Sequence, residues 1–298
     1  MLFNHSRDLL LIPRGGLNDI LCQLTRCFLY AQKENRNLII DTKPSGLRLP
    51  LEVIFERKDW VPIFFIDHKN YLKNMTGSIF PQIPISPNGE IQFEYSQDWA
   101  NYISPDLSKP ITFNHNESYT EDTLIHLQCG GGDWGHHWFK CVNFKETFLE
   151  KITAKISTLP AEYDGVHVRN TDMKTDYKRF FSDIADDVIG KKLLVCSDND
   201  EVITYAKNNL PADDMITISD IPTNGEVPLH DRDDYNNEEL YTNALNTFID
   251  LFSLALSKNL HISKNVSGGF SGFSILAINL FKNKEILREI LSPSNSIS

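Results

Sequence analysis

Two hydrophobic periods alternate along this chain. "RDLLLIP" (7–13) is a short continuous apolar run, the pattern of a strand buried on both faces. "RGGLND" (14–19) reads as a turn. "ILCQLTRCFLYAQKEN" (20–35) then places Ile20, Leu21, Leu24, Phe28, Leu29 and Ala31 at helical spacing. "NLIIDT" (37–42) is a second strand, which closes a β-loop-α-β unit. From 50 to 150 the pattern is less regular. "VPIFFID" (61–67) is a good strand, several Pro, Gly and Asn turns follow, and 81–121 resists assignment.

The second half is clearer. "GVHVR" (165–169), "KKLLVCS" (191–197), "MITIS" (215–219) and "LHIS" (260–263) read as strands. Helical patterns separate them: "DYKRFFSDIADDVI" (176–189), "DEVITYAKNN" (200–209), a long helix from 237 to 259 and "SGFSILAINLF" (271–281). A polar acidic loop occupies 220–237. Strands joined by helical crossovers predict a parallel sheet covered on both faces. Proline and charged residues in "STLPAEYDG" (157–165) mark the expected hinge. The predicted architecture is α/β, two Rossmann-like domains (1–157 and 158–298) whose parallel sheets face an interdomain cleft.

Composition narrows the classes. The chain has 298 residues, 41% hydrophobic and 23% charged, enough for a sizeable core in each domain. Residues 1–150 carry 14 Lys+Arg against 18 Asp+Glu (−4), and the remainder 15 against 22 (−7), summing to the net charge of −11. Neither half is basic, so nucleic acid is not an expected partner. The five cysteines form no CxxC pair, and Cys22, Cys27 and Cys196 fall in apolar periodic segments as small core residues. No signal-peptide pattern and no run of about 20 apolar residues is visible. The expected location is therefore the cytoplasm, and the sequons at Asn74, Asn116 and Asn265 are read as chance matches.

The candidate chemistry begins where "GVHVR" leaves the sheet. Ligands of open α/β sheets bind at the carboxyl ends of the strands, which is where Arg169 falls. Asn170-Thr171-Asp172 can cap the next helix. A helix N-terminus beside a guanidinium suits a phosphate or diphosphate, because the planar fork donates two parallel bonds. His167 shares the strand face of Arg169 and points toward the same site. The alternative is a surface ion pair of Arg169 with Asp172 beside a buried histidine, and spacing alone does not separate the two. Asp250 lies on an otherwise apolar helix face, where a carboxylate must be paired or bound. Ser271, in "VSGGFSG", is a helix N-cap or a phosphate ligand, roles that use the same N–H groups.

"GVHVRNTD" resembles the H-x-R-x-T-D motif of the GDP-fucose-using fucosyltransferases, the nodulation and core α1,6 enzymes together with their protein O- and α1,2 relatives. "RGGLNDILCQLTRCFLYAQKENRNLIIDT", "LLVCSDNDEVITYAK" and "FIDLFSLALSKNLHISKNVSGGFSGFSILAINLF" resemble further family segments in order and spacing. The likeness covers the first 45 residues and 164–282 and is weak or absent from 50 to 150.

The resemblance implies the GT-B architecture. The N-terminal domain would take the acceptor, a glycan or lipid-linked oligosaccharide, and the C-terminal domain GDP-L-fucose. Arg169 would hold the diphosphate, oriented by Asp172. His167 and Asp250 would read the guanine, and Ser271 and its glycine-rich neighbours would meet the phosphates. Asp198 would line the site, and Gly16 would allow a close backbone approach. The family uses no metal. The expected reaction is an inverting displacement with the leaving diphosphate stabilised electrostatically by Arg169. The core enzymes' proposed base, a Glu, corresponds here to Tyr177. Its neighbour Asp176 is the candidate base, with Asp19 the second carboxylate to test.

Three rivals stay open: another nucleotide-sugar donor, a non-catalytic nucleotide- or glycan-binding protein, and a metal-dependent transferase using the DxD-like strings of "SDNDE" and "HDRDDYNNEE". Those strings are read as solvated loops. "QCGGGDWGHHWFKC" (128–141) reads first as a structural aromatic loop, the alternative being a sugar platform at Trp134 or Trp138. A metal held by Cys129, His136, His137 and Cys141 has the wrong ligand spacing. The setting expected is bacterial polysaccharide or lipooligosaccharide synthesis, with at most peripheral contact at the inner membrane face.

Overall fold

β1 (Asp8–Leu11) is buried along its whole length, and α1 (Leu17–Lys33) returns over the sheet to β2 (Asn37–Asp41). The structure is a computed structural model that describes residues 7–42, 46–59, 62–220 and 236–291. After β2 come α2 (Leu51–Ile54), β3 (Phe55–Arg57), β4 (Ile63–Ile66), α3 (His68–Asn74) and β5 (Ile79–Phe80). The segment that resists assignment from sequence contains a small antiparallel meander of β6 (Glu94–Ser96), β7 (Asn101–Ser104) and β8 (Lys109–Pro110). β9 (Thr123–His126) enters the main sheet, and a 3₁₀ segment, Gly135–Lys140, leads to β10 (Val142–Phe144), which pairs antiparallel with β3. The main sheet has the order β4-β2-β1-β9-β5, all parallel.

The second unit runs α4 (Glu146–Ile156), β11 (Asp164–Val168), α5 (Tyr177–Ile184), β12 (Lys192–Ser197), α6 (Asp200–Asn209), β13 (Asp214–Ile216), α7 (Asn237–Leu256), β14 (Leu260–Ile262), α8 (Gly272–Lys282) and α9 (Lys284–Leu291). Its parallel sheet has the order β13-β12-β11-β14. In both sheets the chain reverses direction beside the first strand, between β1 and β9 and between β11 and β14. Crevices at such switch points, outside the carboxyl ends of the strands, are where open α/β sheets bind ligands.

Val166 and Val168 of β11 pack with Phe181, Val188, Val195 and Val202 on one face. The other face takes Gly165, where an added Cβ would lie 3.0 Å from Ser257 Oγ and 3.3 Å from Leu254 Cδ2. This two-sided burial leaves every position of β11 buried, including the polar Asp164 and His167.

Three sequence expectations shift. The chain divides between Lys145 and Glu146, ahead of the expected 157/158 boundary. The cause is α4, whose buried Phe148 meets Tyr241 and Phe248 of α7 edge-on at 5.5 and 5.8 Å. The helix expected over 176–189 ends at Ile184, with a 3₁₀ turn over Asp186–Val188. The strand expected over 215–219 is shorter, Asp214–Ile216, and most of the acidic loop (221–235) lies outside the described residues. Cys22, Cys27 and Cys196 are buried, as expected.

Candidate functional site

Arg169 follows the last residue of β11 and is pinned between two carboxylates. Its Nε and Nη2 donate to Asp172 Oδ1 at 2.9 and 2.6 Å, and Nε lies 3.0 Å from Asp198 Oδ2. The Arg169 side chain is only 18% exposed, against 38% for Asp172. Asp198, just past β12, also accepts from the Asn170 amide (2.8 Å) and the Thr171 hydroxyl (2.6 Å). Thr175 Oγ1 donates to the Arg169 carbonyl at 2.6 Å. The loop after β11 is thus held from below by β12 and from its far end by Thr175. Nη1 makes no hydrogen bond among the described residues, so two donors of the guanidinium fork remain for a ligand.

His167 sits one residue inside the strand and is 5% exposed. Its Nδ1 is 3.0 Å from Ser274 Oγ, which is 2.8 Å from Ser271 Oγ. Ser271 Oγ also accepts from the Ser274 amide at 3.1 Å, capping α8. The Phe273 ring lies 4.8 Å from the imidazole. Burial pushes the His167 pKa down to about 4, with Asp198 pulling upward and Arg169 downward. The imidazole is therefore neutral near pH 7. His167 and Ser271 meet through Ser274, a residue the sequence reading missed. Its position three residues into the helix, the usual partner of an N-cap, was the available signal.

Asp250 projects from α7. Its Oδ2 accepts from Ser219 Oγ at 2.8 Å. Oδ1 is buried with no hydrogen-bond partner among the described residues. Burial pushes its pKa up to about 6, while Ser219 and Cys196 pull it back. A buried acceptor left open in this way suits a ligand N–H donor. Ser263 Oγ, just past β14, is also buried without a partner among the described residues.

In the first unit, Gly15 (φ +98°) and Gly16 carry the chain from β1 into α1. The Gly16 amide donates to Asp19 Oδ2 at 3.1 Å. A Cβ at Gly131 would lie 2.2 Å from Asp19 Oδ1, so the glycine loop after β9 closes directly over this carboxylate. Asn18 Nδ2 donates to the Gly132 carbonyl at 2.9 Å. Arg14, also missed by the sequence reading, stacks on Phe93 and Tyr102 at 4.8 and 5.7 Å with Nε buried and unpartnered among the described residues.

Other candidates take different places. Asp176 is exposed and caps α5, accepting from the Arg179 amide at 3.2 Å. Trp138 is fully buried between Phe28 and Phe55 and offers no sugar platform, whereas Trp134 is 53% exposed. Cys129, His136, His137 and Cys141 form no metal-binding group among the described residues. Asp198 of the "SDNDE" string belongs to the Arg169 network rather than to a solvated loop, and Asn199 caps α6. No described helix is long and apolar enough to cross a membrane.

No family model and no curated protein matches the sequence. Solved structures do match the fold. The fucosyltransferase NodZ from Bradyrhizobium superposes with a TM-score of 0.62 at 19% identity, covering 92% of this chain and 93% of that one. NodZ α-1,6-fucosyltransferase co-crystallised with GDP gives 0.62 at 20% identity, covering 92% of each chain. POFUT1 in complex with GDP gives 0.51 at 11% identity, covering 97% of each. The chain therefore has the GT-B-type α/β fold of these fucosyltransferases, over nearly their whole length.

Proposed function

We propose that this protein is a glycosyltransferase that moves L-fucose from GDP-L-fucose to a hydroxyl of a glycan or lipid-linked oligosaccharide, with inversion and without a metal. The observation that carries the reading is Arg169. The guanidinium is oriented by Asp172 and Asp198 at the switch point of the second sheet and keeps donors free. The fold shared with fucosyltransferases, two of them solved with GDP, supports the donor class.

In this reading the diphosphate takes the free edge of Arg169 and the capped N-terminus of α8, where Ser271 and the backbone amides of its first turn face it. The guanidinium stabilises the charge that develops on the leaving diphosphate, the work a metal does in other transferases. Asp250 accepts the guanine imino and amino N–H groups through its unpartnered oxygen, and His167 fixes the wall behind them. A uracil, with a single imino N–H and no amino group, gains less from this carboxylate. The acceptor belongs to the first unit. Asp19 is the better base of the two carboxylates, because it sits under the glycine loop at the β1/β9 switch point while Asp176 is an exposed cap. The exposed Trp134 is a stacking surface for the acceptor sugar. The polysaccharide or lipooligosaccharide setting and the cytoplasmic site of action belong to the same proposal.

Calorimetry with GDP, UDP and GDP-fucose, in EDTA and in Mg²⁺, tests the donor on wild type and Arg169→Ala. Metal-independent binding of GDP but not UDP, weakened over about ten-fold in the variant, is the expected result, about one charge-assisted bond's worth. Equal binding by the variant, or no guanine-nucleotide binding, sinks the reading. Turnover against a glycan panel then separates an enzyme from a binding protein.

A further inference from the structure

A second cluster lies in the first unit and has no part in the donor site. Cys27 on α1, His126 at the end of β9 and His115 in the β8–β9 connection each offer a ligand atom, all within 4.8 Å of one another. Cys27 Sγ is 3.9 Å from His115 Nε2, and the two imidazole rings lie 5.3 Å apart at 69°. Cys27 and His126 are 0% and 2% exposed, and His115 is half-buried. His126 Nδ1 is buried with no hydrogen-bond partner among the described residues. A polar nitrogen in that position costs stability unless something binds it.

We propose that Cys27, His115 and His126 form a structural site for a zinc-class transition ion. One thiolate and two imidazoles are a borderline-soft donor set, suited to Zn²⁺ and unsuited to Mg²⁺ or Ca²⁺. With Zn–S near 2.3 Å and Zn–N of 2.0–2.1 Å, a tetrahedral site needs S···N of roughly 3.5 Å. The Cys27–His115 separation of 3.9 Å requires a contraction of a few tenths of an ångström, and the other pairs, within 4.8 Å, close by at most about 1.4 Å. Water or another small ligand fills the fourth position, and the half-buried His115 gives the ion a way in. The Cys27 thiol loses its proton to solvent as the metal–sulfur bond forms. The Tyr30 and Phe113 rings pack on His115 at 5.6 and 4.7 Å and orient it.

The ion would tie the strandless stretch between β8 and β9, through His115, to the buried helix α1 and the buried end of β9. Past His126 the chain runs directly into the glycine loop over Asp19. The site thus anchors the acceptor side of the fold. This role stands whether or not the donor is GDP-fucose, and it adds no metal to the transfer step.

The test is metal analysis of the full chain purified without chelator, then Zn²⁺ titration of the stripped protein against a chromophoric chelator. The expected result is one Zn²⁺ per chain, with Cys27→Ser and His115→Gln each weakening binding at least about 100-fold, beyond the 10–100-fold typical of outer-shell changes. A Cys129→Ser/His137→Gln control should bind like wild type. Co²⁺ loaded into wild type should show a thiolate charge-transfer band and tetrahedral d–d bands, a readout that needs no variant to fold. Chelation should lower Tm in wild type but not in His115→Gln, with GDP affinity unchanged. Sub-stoichiometric uptake, equal binding by both variants, loss of the ion in the control, or an octahedral cobalt spectrum without a thiolate band would overturn the proposal.

Discussion

Asp198 Oδ2 lies 3.0 Å from Arg169 Nε, and Asp198 also binds the Asn170 amide and the Thr171 hydroxyl. One carboxylate on β12's end therefore holds both the guanidinium and the loop that carries it. Asp172, more exposed, touches the guanidinium and the Thr171 hydroxyl.

The two acids should differ in consequence. Asp198→Ala is expected to weaken GDP at least ten-fold and lower Tm, since the Asn170 amide loses its acceptor and Arg169 Nε and the Thr171 hydroxyl are left with Asp172 alone. Asp172→Ala should cost less than three-fold, because exposed pairs contribute little. Calorimetry and a melting curve on the two variants check the order, and the reverse order would remove Asp198 from the positioning role.

Asp250 sets stability against binding. Its folded pKa of about 6 exceeds the ordinary 3.8, so the folded state holds the extra proton and its stability falls as pH rises from about 4 through 6. Asp250→Asn should therefore raise the Tm of the ligand-free protein by a few degrees above pH 6. The same change should weaken GDP more than ten-fold, since the amide presents donors to donors. A Tm and an affinity that both stay at wild-type values would count against a guanine-reading carboxylate.

His167 works in the opposite sense. Its folded pKa is about 4 against an ordinary 6.5, so the unfolded chain takes up the proton first and stability is lost as pH falls through 6.5 toward 4. His167→Gln should flatten the pH dependence of Tm in that window while keeping a hydrogen bond to Ser274. Melting curves between pH 4 and 7 measure this, and an unchanged slope would show that His167 is not the group responsible.

The base assignment separates on conservative variants. Asp19→Asn is expected to abolish turnover with GDP affinity within two-fold of wild type. Asp176→Asn keeps the α5 cap and should keep turnover, while Asp176→Ala costs about 1 kcal/mol of stability. If Asp176→Asn is the dead variant, the base lies on α5.

The two tryptophans make a matched pair. Trp134→Ala should raise the acceptor KM and leave the GDP Kd and Tm alone. Trp138→Ala should destabilise by about 3–5 kcal/mol, the usual cost of emptying a large aromatic site. Acceptor-saturation kinetics and denaturant melts distinguish the two. A Trp134→Ala protein with unchanged acceptor kinetics removes the platform.

What the sequence determined by itself is whatever rests on local chemistry. Strands buried on both faces are largely apolar and the helices that cover them show a 3.6 period, so the β-α alternation was readable over β1–α1–β2, at β4 and from β11 to α8, but not through the short strands between β4 and β11. The Ser271 cap is equally local, bonding the amide three residues on, whereas the cap expected at 170–172 falls instead on Asp176, at the start of α5. The placing of Arg169 at a strand's carboxyl end followed from the same reasoning.

Tertiary structure decided what depends on partners far along the chain. The domain division moved to residue 145 because Phe148 packs on α7, nearly a hundred residues later. Trp134 and Trp138 have similar neighbours in sequence, yet one faces solvent and the other the core, a choice made by Phe28 and Phe55. Asp198 reads as one carboxylate of an acidic string until β11 and β12 lie side by side. Cys27, His115 and His126 share no spacing at all, since the residues of a buried cluster are chosen by the three segments that meet there rather than by any period along one of them.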